Sequence, residues 1–187
     1  MVEVITLVSA SYYVTNPFNP DKLWAMPREF SAGGVVARRA TDGWEVAVIE
    51  PRSEDRERTT GKRPVKQVLA LPKGLVDPGE KPEETAAREV FEETGLRGEI
   101  LTKLKDIKYV YVRTWGDKQR VFKIVSFYLL RYQSGTIDQI SKDMRIEVKQ
   151  ALWIPLADSE KRLSYRGEKE VIVLAQKYLQ EHAEEAK

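Results

Sequence analysis

Three glutamates lie close together on one predicted helix. Glu92 and Glu93 follow Glu89 by three and four residues, so the three side chains share one patch of the helix surface. Like charges at this spacing repel each other and require a compensating positive charge. Carboxylate oxygens without His or Cys are the ligands that hard cations such as Mg²⁺ and Mn²⁺ prefer. Taken alone, the cluster is either a metal site or a solvated acidic face that Arg88 balances.

The helix that carries these glutamates is predicted between Pro82 and Gly95. Proline is tolerated in the first turn of a helix, and glycine commonly follows the last turn. Helical spacing predicts an apolar face that consists of Ala86, Ala87, Val90, Phe91 and Thr94.

The composition limits the chemistry available in the rest of the chain. There is no cysteine among the 187 residues, which excludes disulfides, thiolate metal sites and a cysteine nucleophile. The single histidine, His182, lies in a tail of Glu, Ala and Lys, which disfavours histidine catalysis. The clustered carboxylates are therefore the best candidates for catalysis or metal binding in the sequence.

Length and charge are those of one ordinary globular domain. The chain is 42% hydrophobic and 32% charged, and its net charge of +2 does not indicate a nucleic-acid partner. Its apolar runs are far shorter than a membrane span, and its first residues lack the basic start of a signal peptide. We therefore expect a cytoplasmic protein without a membrane partner.

Strand signals flank the glutamate helix on both sides. Alternating and β-rich runs predict strands at 31–39, 44–50, 67–74 and 98–104, a hairpin over 106–132 that turns at Gly116-Asp117, and a last strand at 145–156. An amphipathic helix is predicted at 167–185, with a buried stripe of Val171, Ile172, Leu174, Ala175, Tyr178 and Leu179. Together these elements predict a mixed α/β domain over residues 28–187.

Two segments depart from this pattern. Residues 1–27 combine a strand at 2–14 with an arm rich in Pro and Asn, which packs either on its own domain or on a second subunit of a homodimer. Residues 51–66 contain six basic and three acidic side chains. This loop is either a solvated insertion or a basic segment beside a polyanionic substrate, and Arg52 is its best candidate for substrate binding.

The loop and helix over 74–96 match the Nudix box at every fixed position. Gly74 is followed after five residues by Glu80, and after seven more by the run R-E-V-F-E-E-T-G-L that begins at Arg88. The chain thus resembles a Nudix hydrolase. The resemblance implies an α/β/α sandwich with a mixed sheet, and hydrolysis of a phosphoanhydride bond that depends on Mg²⁺ or Mn²⁺.

The resemblance also implies roles for the matched residues. Metal ligands would be Glu89, Glu92, Glu93, the backbone near Gly74 and a distal acid, Glu147. One of Glu89, Glu93 and Glu147 would act as the general base. Structural roles fall to Gly74, Glu80, Arg88, which would hold the glutamates by hydrogen bonds, and Gly95, which closes the helix.

Substrate contacts are predicted from cations and one aromatic residue near the box. Lys73, Lys123 and Arg52 could bind phosphate oxygens, and Tyr111 could stack on a base; the alternative is an ordinary surface cation or sheet aromatic at each position.

Segments outside the box resemble the diadenosine polyphosphate and diphosphoinositol polyphosphate hydrolases of the family. They are L-P-K-G at 71–74, the strand with Lys123, E-V-K-Q-A-L-W at 147–153 and L-S-Y at 163–165. The implied substrate is a nucleoside diphosphate linked to another moiety, as in a dinucleoside polyphosphate or a nucleoside triphosphate. A nucleotide- or RNA-binding regulator without turnover is the alternative, which the complete set of box acids disfavours.

Overall fold

The structure is a computed structural model that describes residues 26–52, 67–113 and 118–182. The strand predicted at 2–14, most of the basic loop over 51–66 and the turn at Gly116-Asp117 lie outside the described residues. The division of the chain at residue 27 therefore stays a prediction. No helix in the described part of the chain is long and apolar enough to cross a membrane.

In the described residues, six strands form one sheet. They are β1 Arg28–Ala40, β2 Gly43–Pro51, β3 Lys73–Leu75, β4 Leu96–Val112, β5 Arg120–Gly135 and β6 Val148–Pro155. The order across the sheet is β4-β5-β1-β2-β6, and the short β3 pairs with the first half of β1. Only the β1–β5 pair among these is parallel, so the sheet is mixed, as predicted.

Helices cover both faces of this sheet. Helix α1, Pro82–Thr94, packs on one face, where Ala86 and Val90 join the buried side chains of β1. Helices α2, Leu156–Arg162, and α3, Arg166–Glu181, pack on the other face, where α3 buries Val171 and Ile172. The predicted α/β/α sandwich is confirmed. The two faces are called here the α1 face and the α3 face.

Strand β1 is buried on both faces because it lies in the middle of the sheet. Ala32 and Val36 face α1, whereas Val35 and Ala37 face α3, and all four are at most 1% exposed. Burial on both faces explains why the sequence reads as a continuous small and apolar run here rather than as an alternation. This strand therefore lies between the glutamate helix and the two helices on the opposite face.

The predicted apolar face of α1 is wrong at Phe91. That side chain is 40% exposed, and its ring packs under the Arg97 guanidinium at 3.9 Å. Glu89 and Glu93 are buried instead, because the helix turns these positions toward the loop before it. The same kind of correction applies to α3, where Leu174 is 37% exposed and only part of the predicted stripe is buried.

Three strand predictions also change. The strand at 98–104 and the first arm of the hairpin are one strand, β4, which pairs along β5 with three register shifts. These bulges break the alternation that sequence patterns rely on. The buried strand predicted at 67–74 is reduced to bridges at Leu69 and Ala70 and to β3. The last strand begins at Val148, after a 3₁₀ turn over Met144–Ile146.

Candidate active site

Local backbone signals set the ends of α1. Lys81 is the extended residue before the helix, its N–H donates to the Glu84 carboxylate at 2.9 Å, and Pro82 occupies the first turn. At the other end Gly95 adopts φ 78°, a left-handed conformation, and its N–H donates to the Phe91 carbonyl at 2.8 Å. The glutamate cluster is therefore held on a helix with both ends capped.

Arg88 joins this helix to the loop that precedes it. Its Nε and Nη2 donate to the two carboxylate oxygens of Glu80 at 3.0 and 2.9 Å, and Nη2 also donates to the Leu75 carbonyl at 3.0 Å. Such a two-pronged contact fixes position as well as charge. The Arg88 guanidinium lowers the pKa of Glu80 to about 2, with help from the Thr85 hydroxyl.

The same guanidinium also reaches the glutamate cluster. Arg88 Nη1 donates to Glu89 Oε1 at 2.7 Å and to Glu92 Oε2 at 3.0 Å. Arg88 is thus placed to hold the carboxylates from behind, which is the structural role that the resemblance implies for it.

Glu89 lies directly against the backbone of the loop. A Cβ atom added to Gly74 would lie 2.0 to 2.2 Å from the Glu89 carboxylate atoms, so only glycine leaves room for this contact. Burial raises the pKa of Glu89 above its ordinary value, and the charges of Glu92 and Glu147 add to the rise, against the opposing effect of Arg88.

Glu93 is the most deeply placed of the three glutamates. It is 7% exposed, and its Oε2 accepts the backbone N–H of Lys73 at 2.7 Å. Burial, together with the charges of Glu89 and Glu147, raises the pKa of Glu93 to about 8, although the Lys73 ammonium and N–H oppose the rise. Burial and the neighbouring carboxylates therefore outweigh the positive charge of Lys73 at Glu93.

Glu147 approaches the cluster from a distant part of the chain. It is exposed and follows the 3₁₀ turn before β6, and its charge affects the pKa of both Glu89 and Glu93. Its carbonyl accepts the backbone N–H of Arg52 at 2.7 Å, so the end of β2 and the start of β6 meet here. The side chain of Arg52 is exposed at this rim.

The donor set fits a hard divalent cation in its chemistry. The candidate ligands are carboxylate oxygens, and Gly74 lets the Glu89 carboxylate approach the loop. The raised pKa values of Glu89 and Glu93 show that an added cation would favour their charged forms. As the side chains stand, no three acidic or imidazole groups in the described ranges converge enough to hold an ion. Glu89 and Glu92 each turn one carboxylate oxygen toward Arg88, Glu89 through Oε1 and Glu92 through Oε2.

Lys73 connects the glutamate cluster to the α3 face. Its backbone N–H serves Glu93, while its side-chain Nζ lies 3.2 Å from Glu168 Oε1 on α3. Glu168 is 3% exposed, and its Oε2 also accepts the Leu71 N–H at 2.9 Å. One carboxylate on α3 therefore holds the loop that supplies Gly74.

The other predicted substrate residues surround Glu29 of β1. Tyr111 donates its hydroxyl to Glu29 Oε2 at 2.8 Å, and Arg113 Nη2 donates to Oε1 at 3.1 Å. Lys123 Nζ lies 3.8 Å from Glu29 Oε2. Burial and the Glu29 charge raise the pKa of Tyr111 to about 12, whereas burial lowers the pKa of Lys123.

A cavity of about 790 Å³ opens on the α3 face next to Lys73. Val125 and Phe127 form its floor, and Tyr109 and Tyr165 stand at its sides. Tyr109 is 40% exposed, with its ring centre 6.4 Å from that of Tyr111. Of these two neighbouring tyrosines, Tyr109 lines the cavity, whereas the predicted Tyr111 donates its hydroxyl to Glu29.

Sequence reasoning missed Glu168 and Glu29. Glu168 could have been found, because it lies three and four residues before Val171 and Ile172 and so continues the buried stripe of α3. A charged residue on an apolar stripe indicates a buried partner. Glu29 carries no such signal, since it alternates normally with its neighbours in a strand.

With this sandwich and this acidic cluster in view, the model of the NUDIX domain matches residues 27–175 of the chain. The chain therefore belongs to the Nudix family, and the prediction from the box is confirmed. Its relatives include a Mycobacterium tuberculosis protein named as the mutator protein MutT4. The two are 37% identical over 150 residues, which cover 79% of this chain and 54% of that protein. The chain spans about half the length of the curated relatives it matches.

Solved structures show the same fold at lower identity. An Ap4A hydrolase from C. elegans in a binary complex is 21% identical, with a TM-score of 0.56 over 82% of this chain and 98% of that one. The NUDIX domain of Shewanella oneidensis NrtR, complexed with ADP ribose, is 19% identical, with a TM-score of 0.56 over 87% and 94%. These likenesses support the fold.

Proposed function

We propose that this protein hydrolyses a phosphoanhydride bond in a nucleoside diphosphate linked to another moiety, with a dinucleoside polyphosphate or a nucleoside triphosphate as substrate. The proposal depends on one observation: Glu89 and Glu93 are buried against the loop at Gly74. This loop lies next to a cavity that is lined with cationic side chains and tyrosines. Acidic groups for a cation and basic groups for phosphates thus meet at Lys73.

A divalent cation, Mg²⁺ or Mn²⁺, would neutralise phosphate charge and lower the pKa of a bound water. The candidate ligands are Glu89, Glu92, Glu93, Glu147 and the backbone near Gly74. Arg88 would hold Glu89 and Glu92 in register with the helix, since it contacts both carboxylates in this structure.

The general base that takes the proton of the attacking water is one of Glu89, Glu93 and Glu147. Glu147 is exposed, and its carboxylate has no hydrogen bond or ion pair within the part of the chain that the structure describes. Glu147 would act as the base from the exposed rim of the site. Glu93 would instead act from the interior, where its oxygen is held by the Lys73 N–H.

The residues proposed for the substrate's phosphates are Lys73 and Lys123, with Arg52 at the rim. Both lysines are partly buried, at 24% and 20% side-chain exposure, so the interaction of an ammonium with phosphate is less screened there than at an open surface. Tyr109 joins Tyr111 as a candidate for stacking on a base, since Tyr109 lines the cavity.

A screen of hydrolysis with Mg²⁺ and with Mn²⁺ tests the proposal. The panel comprises dinucleoside polyphosphates, nucleoside triphosphates, ADP-ribose and diphosphoinositols, with each product identified by mass. We expect cleavage within the polyphosphate chain that stops on addition of EDTA. Binding of these ligands without turnover in either metal would overturn it and support the regulatory alternative.

Replacing Gly74 by Ala is expected to lower kcat by about 10²-fold, because the new Cβ displaces the Glu89 carboxylate from the loop. The helix should stay folded, since a flexible side chain can turn away from the added methyl group. Circular dichroism checks the fold and steady-state kinetics check the loss. Turnover at the unsubstituted rate would show that catalysis does not require the Glu89 carboxylate to contact the loop at Gly74.

A further inference from the structure

The hydroxyl group of Ser31 is buried without a partner. Ser31 is 2% exposed, and its Oγ is the one buried side-chain nitrogen or oxygen in residues 26–52, 67–113 and 118–182 that has no hydrogen-bond partner. Buried hydroxyl groups are normally hydrogen-bonded, and an exception requires an explanation such as a ligand or an ordered water. The backbone of Ser31 pairs with β3 and β5, and its hydroxyl takes no part in this pairing.

Strand geometry places this hydroxyl on the α3 face. Glu29, Ser31 and Gly33 alternate to the same face of β1. A Cβ added to Gly33 would lie 2.6 Å from Lys73 Cβ and 2.9 Å from Phe127 Cε1, which shows that Lys73 and the cavity floor share that face. Ser31 is therefore on the same side of the sheet as the cavity.

Register places Ser31 between the two lysines. Along β1, Glu29 pairs with Lys123, Ser31 pairs with Val125 of the cavity floor, and Gly33 pairs with Lys73. Successive pairs on one face are about 6.7 Å apart. The two lysines interact electrostatically, because burial lowers the pKa of Lys123 and the charge of Lys73 lowers it further. A neutral hydroxyl whose strand position lies between those of two partly buried lysines is suited to an anionic acceptor.

We propose that Ser31 Oγ and Lys123 Nζ form a subsite for a phosphate group of the substrate, next to the phosphate held at the glutamates. This inference rests on the proposed function. The hydroxyl donates to a non-bridging phosphate oxygen, and Lys123 turns from Glu29, 3.8 Å away, toward the same phosphate. The subsite selects substrates with a condensed phosphate chain, because a single phosphate at the glutamates would leave Ser31 unpaired.

Ser31→Ala tests the subsite, and Ser126→Ala is the matched control. Ser126 lies on the neighbouring strand β5, opposite Ala32, is 8% exposed and donates to Asp106 at 2.7 Å. Binding of inorganic tripolyphosphate is measured by calorimetry in EDTA, and KM is measured for the best substrate of the hydrolysis screen. Loss of one hydrogen bond to a charged group should weaken tripolyphosphate binding and raise KM about tenfold or more in Ser31→Ala. Both values should stay unchanged in Ser126→Ala.

Thermal unfolding separates this role from a structural one. Ser31→Ala should keep or raise Tm, because no hydrogen bond within the protein is lost, whereas Ser126→Ala should lower it. Lys123→Met should weaken tripolyphosphate binding as well.

Unchanged tripolyphosphate binding and KM in Ser31→Ala would mean that the hydroxyl contacts only a water molecule, and this would overturn the proposal. So would undetectable tripolyphosphate binding by the unsubstituted protein. Ser31-dependent binding without hydrolysis of any nucleotide would support the subsite and contradict only the proposed activity.

Discussion

Glu93→Gln is expected to lower kcat by about 10²- to 10⁴-fold while leaving the fold intact. Glutamine keeps the size of the side chain and can still accept the Lys73 N–H that now lies 2.7 Å from Oε2. It removes the negative charge that a cation would bind and the group that could accept a proton. Steady-state kinetics with Mg²⁺ or Mn²⁺ measure the change, and circular dichroism and thermal unfolding check the fold.

Glu160→Gln on α2 is the control for this variant, because Glu160 is exposed and lies away from the glutamate cluster. It should turn over at the unsubstituted rate. If Glu93→Gln also did so, the assignment of the box glutamates to the cation would be wrong. Comparison with Glu89→Gln and Glu147→Gln then identifies the base, since its loss should lower kcat without abolishing metal binding.

Glu168→Ala is expected to lower the free energy of unfolding by about 3 kcal/mol, near the lower end of the cost of breaking a buried ion pair. The carboxylate is 4% exposed and serves both Lys73 Nζ and the Leu71 N–H. The Lys73 side chain remains 24% exposed, so water can compensate its charge in part. Urea-induced unfolding measures the loss.

Glu170→Ala, two residues further on the same helix, is the matched control. Glu170 pairs with Lys105 and Arg166 at the exposed surface, where water already solvates the charges, so its removal should change stability little. Glu168→Ala should also lower kcat, because the loop that carries Gly74 loses its attachment to α3. Equal stability of the two variants would show that Glu168 does not hold the loop.

The sequence was most informative where chemistry demands fixed spacing. The contact of Gly74 with Glu89 and the Arg88 contacts with Glu80, Glu89 and Glu92 occur within the box, since one loop and one helix supply all of them. The order of strands and helices followed from periodicity for the same local reason. The roles of these residues in catalysis stay predictions.

Tertiary packing decided what periodicity could not. Phe91 belongs to the apolar pattern of α1 but is exposed, because the helix turns Glu89 and Glu93 toward the loop instead. Three bulges in β4 shift its alternation, so the two predicted strands are one. Glu29 and Ser31 could not be found from the sequence, since their meaning depends on which residues of β5 and β3 lie beside them.

The parallel pairing of β1 with β5 has a consequence for how the chain folds. Arg28 pairs with Phe122 and Ala37 with Arg131, so these contacts join parts of the chain that are far apart in sequence. The β1–β2 and β4–β5 hairpins close short loops and should form first, whereas a non-local parallel pairing closes a long one and is slow. Ser31, Lys123 and Lys73 come together only through that pairing and the β1–β3 pairing. We therefore expect the proposed phosphate subsite to form in the last, slowest phase of refolding.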